Sequence, residues 1–326
     1  MKSKGKTLST TMVMAKPTKN QITQSLGLKF PVYTLDKQLL LPENTTLSTR
    51  TIDTLISTNS QTSYKTYSLF NYGSVKKDIL NSLQEHHYPV IFAEQEKTNT
   101  IMQILEDVYL MLPVLESLEY FKGYDSYTYR HILMVFALST LLSIDLLTDK
   151  TERDALIKEF LAGPTHDFGN ICVPLDILQK KVPITQRERN VLEHHALAGY
   201  VLLSYYYRDK HNFFARVARD HHERKNGSGY PRSIKLRDQL IEIVAVTDVY
   251  DALISPRPYR PISYDNRTAL EEITAMAERG QFNWKVVKAL VALNRASKPH
   301  FDTCIISLEK RGTPPPHNTY GIIVKG

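Results

Sequence analysis

His131, the adjacent pair His166 and Asp167, His195, the adjacent pair His221 and His222, and Asp248 are the side chains here whose types could do chemistry together. Neutral imidazoles and carboxylates are ligands for divalent transition metals. A metal needs its ligands converged, and adjacent residues can enter one site where the backbone bends. Asp167 has two oxygens and can bridge two ions, the usual way to hold a pair at the short separation of a two-metal hydrolytic centre. The densest stretch is HHERKNGSGYP, from His221 to Pro231. Its glycines, Gly227 and Gly229, permit a close backbone approach or dihedrals that other residues avoid. Taken singly, each residue has a plainer explanation. His131 could be a satisfied core histidine, Asp248 could cap a helix or pair with an arginine, and the doublet could be a chance feature of a loop. Of His194 and His195, at most one is expected to face the core. His86 and His87 have no acid partner nearby and read as surface residues.

Such ligands need rigid supports. The pattern predicts a long apolar helix from His131, a second over Leu156–Leu161, and others over Thr185–Tyr206, Asn212–His222, Leu240–Leu253, Asn266–Glu278 and Asn283–Leu293. Upstream, FPVYTLD and QLLLPENTTLS read as short strands around turns. Thr51–Ile56 and Ser74–Leu83 read as helices, and Tyr88–Ala93 as a strand. Thr98–Tyr120 reads as one helix, with Pro113 as a kink or break. It either links two domains or packs two copies into a homodimer. The expected organisation is a basic flexible arm (1–25), a small α/β regulatory module (26–97), a linker helix (98–126), a metal-binding helical domain (127–296) and a tail (297–326) with a short strand. The fold class is mainly α: a helical bundle behind a small mixed α/β module.

Composition narrows the function. The chain has 326 residues and a formal net charge of +7, but its first 35 residues hold six lysines and no acid. The remainder is close to neutral, which argues against a nucleic-acid partner. Cys172 and Cys304 are the two cysteines and form no CxxC pair, so a reducing, cytoplasmic setting is expected. No signal peptide is read at the start. Ile132–Leu147 is apolar but interrupted by Ser139, Thr140, Ser143 and Asp145, so a buried helix is expected rather than a membrane span.

In order along the chain, YTYRH ends on His131, HDFGN is followed by VPLDIL, EHHALAG places His195 four residues before Gly199, and HHERKNGSGYP carries Gly229-Tyr230-Pro231. AVTDVYDAL then places Asp248 with Asp251 behind it, and RPYR spans Arg257 to Arg260. From about Tyr127 to Leu293 this resembles the HD-GYP family, a bacterial branch of the HD superfamily of metal-dependent phosphohydrolases. The resemblance implies an HD-type helical bundle and hydrolysis of cyclic di-GMP to pGpG or GMP by a hydroxide held between two metals. It implies that His131, His166, Asp167 and Asp248 hold one ion, and that His195, His221 and His222 hold a second, with Asp167 bridging. Iron is the family's frequent choice and manganese another. A third ion is not expected, because Tyr127 stands where some members carry a glutamate. Asp251 would orient a ligand or help activate the water. Arg257 and Arg260 would pair with phosphate, and Tyr230 would shape a pocket wall. Glu223 and Arg224 would brace the ligand helices, and the family ties the GYP segment to a signalling partner.

Two positions depart from the family pattern. Asn170 stands where a lysine usually contacts the scissile phosphate, and asparagine brings no charge and no transferable ammonium proton. Asn226 stands where aspartate usually precedes Gly227, which is expected to weaken the GYP turn. A slow phosphodiesterase is therefore the expectation. A cyclic di-GMP receptor without turnover, a phosphohydrolase of another cyclic nucleotide, and a structural metalloprotein are the rivals.

Overall fold

The computed structural model describes residues 26–316, 323 and 324, apart from 61, 62, 86, 148–162, 259 and 261. The expected arm (1–25), the helix expected over Leu156–Leu161, and His86 lie outside the described residues. Strands β1 (Leu26–Gly27), β2 (Val32–Tyr33), β3 (Leu39–Leu41) and β4 (Thr46–Leu47) form two antiparallel ribbons, β1 with β4 and β2 with β3. Helix α1 (Thr49–Thr58) starts at Ser48, whose hydroxyl accepts from the Thr51 amide at 3.0 Å. Strand β5 (Thr66–Ser68) and helix α2 (Val75–Ser82) follow.

Two local expectations are overturned here. Tyr88–Ala93 is not a strand, because Tyr88–Ile91 forms a single helical turn, α3, with Pro89 in its first positions. Tyr88 and Ile91 are buried while Pro89 and Val90 are exposed, so the burial spacing is helical, not alternating. Nor is 98–126 one helix. Helix α4 (Gln95–Glu106) ends at Asp107, strand β6 (Tyr109–Met111) intervenes, and helix α5 (Leu112–Tyr124) begins with Pro113 in its first turn. Proline lacks an amide hydrogen that this position does not need, so it starts the second helix instead of kinking a longer one. Strand β6 pairs antiparallel with β5. The stretch expected to link the module is thus woven into it.

Helix α6 (Ser126–Leu146) starts at Asp125, which accepts from the Thr128 amide and takes the Thr128 hydroxyl at 2.6 Å. It is long and apolar enough to cross a membrane, but 83% of its most apolar window is buried inside the fold. A helix that is apolar all round belongs at a core, and α6 is the central helix of the bundle. After it come the short α7 (Leu175–Leu178), strand β7 (Ile184–Thr185) and helix α8 (Gln186–Tyr207). Thr185 and Glu188 form a capping box that sets where α8 starts. Helix α9 (Phe213–Asp220) packs on α8, and α10 (Gln239–Ile254) packs on α6. Helices α11 (Asn266–Glu278) and α12 (Trp284–Leu293) close the bundle. In the tail, strand β8 (Ile323–Val324) pairs parallel with β7. Each of α9 to α12 is capped by an Asn or Asp side chain, a contribution of about 1 kcal/mol apiece.

The fold is therefore mainly helical with a small mixed module in front. That module is not a detached body. One apolar cluster runs from Leu28 through Phe136 and Val246 to Phe301. Polar contacts join the two parts as well: Asn59 donates to the Tyr205 carbonyl at 2.9 Å, and the Tyr129 hydroxyl donates to Asp78 at 2.8 Å.

Candidate metal centre

Five elements bring the seven residues together. His131 sits in the second turn of α6, and His195 lies midway along α8. Asp248 is on α10, and His221 and His222 follow directly on α9. His166 and Asp167 occupy the bend between two short 3-10 turns, Gly163–Thr165 and Phe168–Cys172. Gly169 makes this possible. A Cβ there would lie 1.9 Å from the His195 carbonyl oxygen and 2.5 Å from the Gly199 amide nitrogen. Only a glycine lets the bend lie on the backbone of α8 and carry Asp167 to His195. Gly229 acts similarly, since a Cβ would come within 2.3 Å of the His222 carbonyl oxygen. Its close approach is to its own chain. The fully buried Glu223 ties the same loop down, accepting from the Arg232 and Ile234 amides at 2.7 and 3.0 Å.

The side chains converge as two groups. Ligand atoms of His131, His166 and Asp248 lie within 4.8 Å of one another, and so do those of His195, His221 and His222. Asp167 stands between the groups. Its Oδ2 is 3.8 Å from His131 Nε2 and 3.6 Å from His166 Nε2, and its Oδ1 is 3.5 Å from His195 Nε2 and 3.9 Å from His221 Nε2. One oxygen thus faces each group.

The hydrogen bonds on the far side of each ring decide what the near side offers. His195 Nδ1 donates to the Leu192 carbonyl at 2.6 Å, and His221 Nδ1 donates to the Ala218 carbonyl at 2.9 Å. Those tautomers leave the Nε2 lone pairs pointing inward. His195 Nε2 is 3.3 Å from His221 Nε2 and 3.0 Å from His222 Nε2. Lone pairs gathered so closely repel unless a proton or a cation lies among them. Burial and the neighbouring His166 and His195 push the His221 imidazole down to about 3, which disfavours a proton on that ring. His131 is different. Burial pulls its pKa down, but its bonds to Asp248 at 3.0 Å and Asp251 at 2.5 Å outweigh that and lift it to about 9. An ion entering there must displace a proton. Burial would likewise raise the Asp167 carboxyl, yet the surrounding histidines hold it down at about 2. The donor set of imidazole and carboxylate fits two divalent transition metals.

The remaining expected site residues fall in several places. Asp251 is fully buried behind His131, holds that ring's Nδ1 at 2.5 Å and is not among the residues lining the cavity. A cavity of about 260 Å³ opens on the two groups and is lined by Asn170, Tyr230 and Arg257 among others. Tyr230 stacks on His222 with ring centroids 4.5 Å apart at 21°. Arg260 also lines the cavity, but it is 1% exposed, and its Nη2 donates to the carbonyls of Ala252, Leu253 and Ser255. That guanidinium holds the C-terminal end of α10, where unpaired carbonyls need donors. Arg224 braces as expected, donating to the His221 and Glu223 carbonyls at 3.2 and 3.0 Å.

Asn226 does not weaken its turn. Its Oδ1 accepts from the Ser228 amide and its Nδ2 donates to the Arg279 carbonyl, both at 3.0 Å, with Gly227 at φ 84° between. An aspartate could make only the first of these bonds. His194 points away from the metal groups, edge-on to Phe30 with ring centroids 5.6 Å apart. His87 is half-buried, not a surface residue. The residue that sequence reasoning missed is Tyr88 of α3, whose hydroxyl donates to Asp251. No motif marks it, and 163 positions separate the two.

The family model described as HD domain matches residues 128–286. That stretch is similar to HD domains and covers just under half of the chain. Curated proteins to which it is similar include the cyclic di-GMP phosphodiesterase response regulator RpfG of Xanthomonas campestris, 43% identical over 34% of this chain and 29% of that protein. A cyclic di-GMP phosphodiesterase of Thermotoga maritima is 33% identical over 57% of this chain and 50% of that protein. The 3′3′-cGAMP-specific phosphodiesterase 2 of Vibrio cholerae is 33% identical over 40% of this chain and 25% of that protein. The aligned part spans half or less of each of these relatives. The ordered motifs and these relatives make residues 128–286 similar to the HD domains of cyclic dinucleotide phosphodiesterases.

Proposed function

We propose that this chain is a slow metal-dependent phosphodiesterase acting on cyclic di-GMP. The observation that carries the reading is Asp167, with one carboxylate oxygen toward His131 and His166 and the other toward His195 and His221. His131, His166 and Asp248 would hold one ion, His195, His221 and His222 a second, and Asp167 both. Iron or manganese suits this donor set. When bound, such a pair supplies an activated water and charge stabilisation at phosphorus. The chain's own residues set the substrate. Arg257 brings positive charge to the cavity wall, and Tyr230 extends the flat face begun by His222. Asn170 offers a hydrogen bond where a cation would do more as charge develops. Loss of one such contact commonly costs about 10²–10³ in rate.

A second reading is a cyclic di-GMP receptor without turnover. Two observations favour it: Asn170 carries no charge, and Arg260 is engaged with backbone carbonyls. A third is a different cyclic dinucleotide, which the similarity to the Vibrio cholerae enzyme supports. The test is a product assay for pGpG and GMP with iron- or manganese-loaded protein, wild type beside Asn170→Lys, with binding measured in parallel and 3′3′-cGAMP as a competing substrate. The expected outcome is slow turnover that Asn170→Lys accelerates more than it tightens binding. Tight binding without product from either protein would leave the receptor.

A further inference from the structure

The module ahead of the HD domain reaches the metal groups at one point. Tyr88 of α3 is fully buried, and its hydroxyl donates to Asp251 Oδ1. The other oxygen of that carboxylate, Oδ2, takes His131 Nδ1 at 2.5 Å. His131 Nε2 then faces Asp248 at 3.0 Å and Asp167 at 3.8 Å. A chain of hydrogen bonds therefore runs from the module into one metal group, through a carboxylate with no exposed surface.

The tyrosine is itself held. The Arg130 guanidinium lies over its ring, 5.3 Å from the centroid. Arg130 also donates to Ser255 Oγ at 2.8 Å and to Glu85 at 3.2 Å. Ser255 Oγ donates to Asp251 Oδ1 at 3.1 Å. Lys298 clasps the far end of α3, donating to the Val90 carbonyl. Glu85 and Tyr88 belong to the module, whereas Arg130, Asp251 and Ser255 belong to the bundle and Lys298 follows its last helix. Nothing in this arrangement is needed merely to fill space, because a phenylalanine would fill the same pocket. What the hydroxyl adds is a donor that fixes the rotation of the Asp251 carboxylate, and with it the plane of the His131 ring.

We propose that Tyr88 is a positioning residue through which the docked module sets the metal affinity of the group built on His131. The inference rests on the two-metal reading of the site. Partners that orient a ligating histidine commonly contribute 10- to 100-fold to metal affinity. Tyr88 acts one bond further out, so a smaller share is expected. A net hydrogen bond corresponds to about threefold to tenfold.

The test is a stepwise Mn²⁺ titration by calorimetry of chelator-stripped full-length protein: wild type, Tyr88→Phe, Asp251→Asn, the double variant and Tyr129→Phe. Tyr129 is a control because its hydroxyl also ties module to bundle, through Asp78, without touching Asp251. Tyr88→Phe should weaken one of two binding steps by about threefold to tenfold and leave the other unchanged. Tyr129→Phe should alter neither step, even where it lowers the melting temperature of the stripped protein as much. In the Asp251→Asn background, Tyr88→Phe should cost nothing further, since the chain is already cut. Wild-type values at both steps in Tyr88→Phe, or full additivity in the double variant, would overturn the proposal while leaving the two-metal reading intact. A wild-type chain that takes up no Mn²⁺ would overturn that reading and the proposal with it.

Discussion

The two metal groups are backed in different ways. His195 and His221 each donate Nδ1–H to a carbonyl three or four residues earlier in their own stretch of chain, Leu192 for one and Val217 and Ala218 for the other. That support is local, and any helix carrying these residues would provide it. His131 is backed by Asp251, 120 positions away, and Asp251 is backed in turn by Tyr88 and Ser255. That support exists only when α10 has docked on α6 and α3 has docked on both. A carboxylate also makes the ring a stronger donor than a carbonyl does. The rings of His195 and His221 are thus backed within their own elements, while the backing of His131 reports on the assembly of the whole fold.

The largest effect expected on this contrast comes from Asp167→Ala, which removes the one side chain common to both groups. Metal content, measured on protein prepared without chelator, should fall from about two ions per chain to a small residue. Retention of both ions would break the bridging assignment. Asp251→Asn comes next. An amide cannot take the His131 proton in the same way, so affinity should fall by about 10- to 100-fold at the His131 group and stay unchanged at the other. A titration resolving two steps checks this. Equal weakening of both steps would mean that the groups are not separately supported.

The same contrast explains what could be read from the sequence. The ligand residues lie in short contiguous motifs, HD and HH, or within strongly helical patterns, so local spacing carries them. Gly169 and Gly229 sit inside those motifs too, although close packing against a remote helix is what requires the first. Helices α8 to α12 were legible because each joins an apolar period to a capping Asn, Asp or Thr. The module was not. Strand β6 is three residues within a helix-like apolar spacing, and only its pairing with β5 makes it a strand. Tyr88–Ile91 has a strand-like composition, and Pro89 together with burial of both ends turns it into a helical turn. Arg260 was legible only in part for a related reason. An arginine near a metal site suggests phosphate, but its bonds to the end of α10 depend on a turn that no local pattern indicates. Asn226 misled in the opposite direction, since its second bond goes to Arg279, which no local pattern indicates.

The smallest effect on the metal groups should come from His194, the neighbour of a proposed ligand. Its ring sits against Phe30 of the module, and burial pushes its pKa down to about 4, against which its bond to the Pro31 backbone and the charge on His195 are lesser influences. In the unfolded chain the same imidazole titrates near about 6.5. Between these values the unfolded chain binds a proton that the folded chain refuses. Stability from this residue is therefore complete above about pH 6.5, declines as pH falls toward about 4, and is fully lost below that. The upper bound on the loss is about 3 kcal/mol. His194→Gln keeps a hydrogen-bonding side chain and removes the titration. Urea unfolding of chelator-stripped wild type and His194→Gln at several pH values between 4 and 7 isolates this contribution, because every other histidine is common to both. The variant should show the shallower pH dependence, and its metal content at neutral pH should match wild type. Metal loss equal to that of Asp167→Ala would mean that His194, and not His195, faces the centre. Parallel pH dependences would mean that the module leaves His194 in water, and the packing of β2 against α8 would then have to be redrawn.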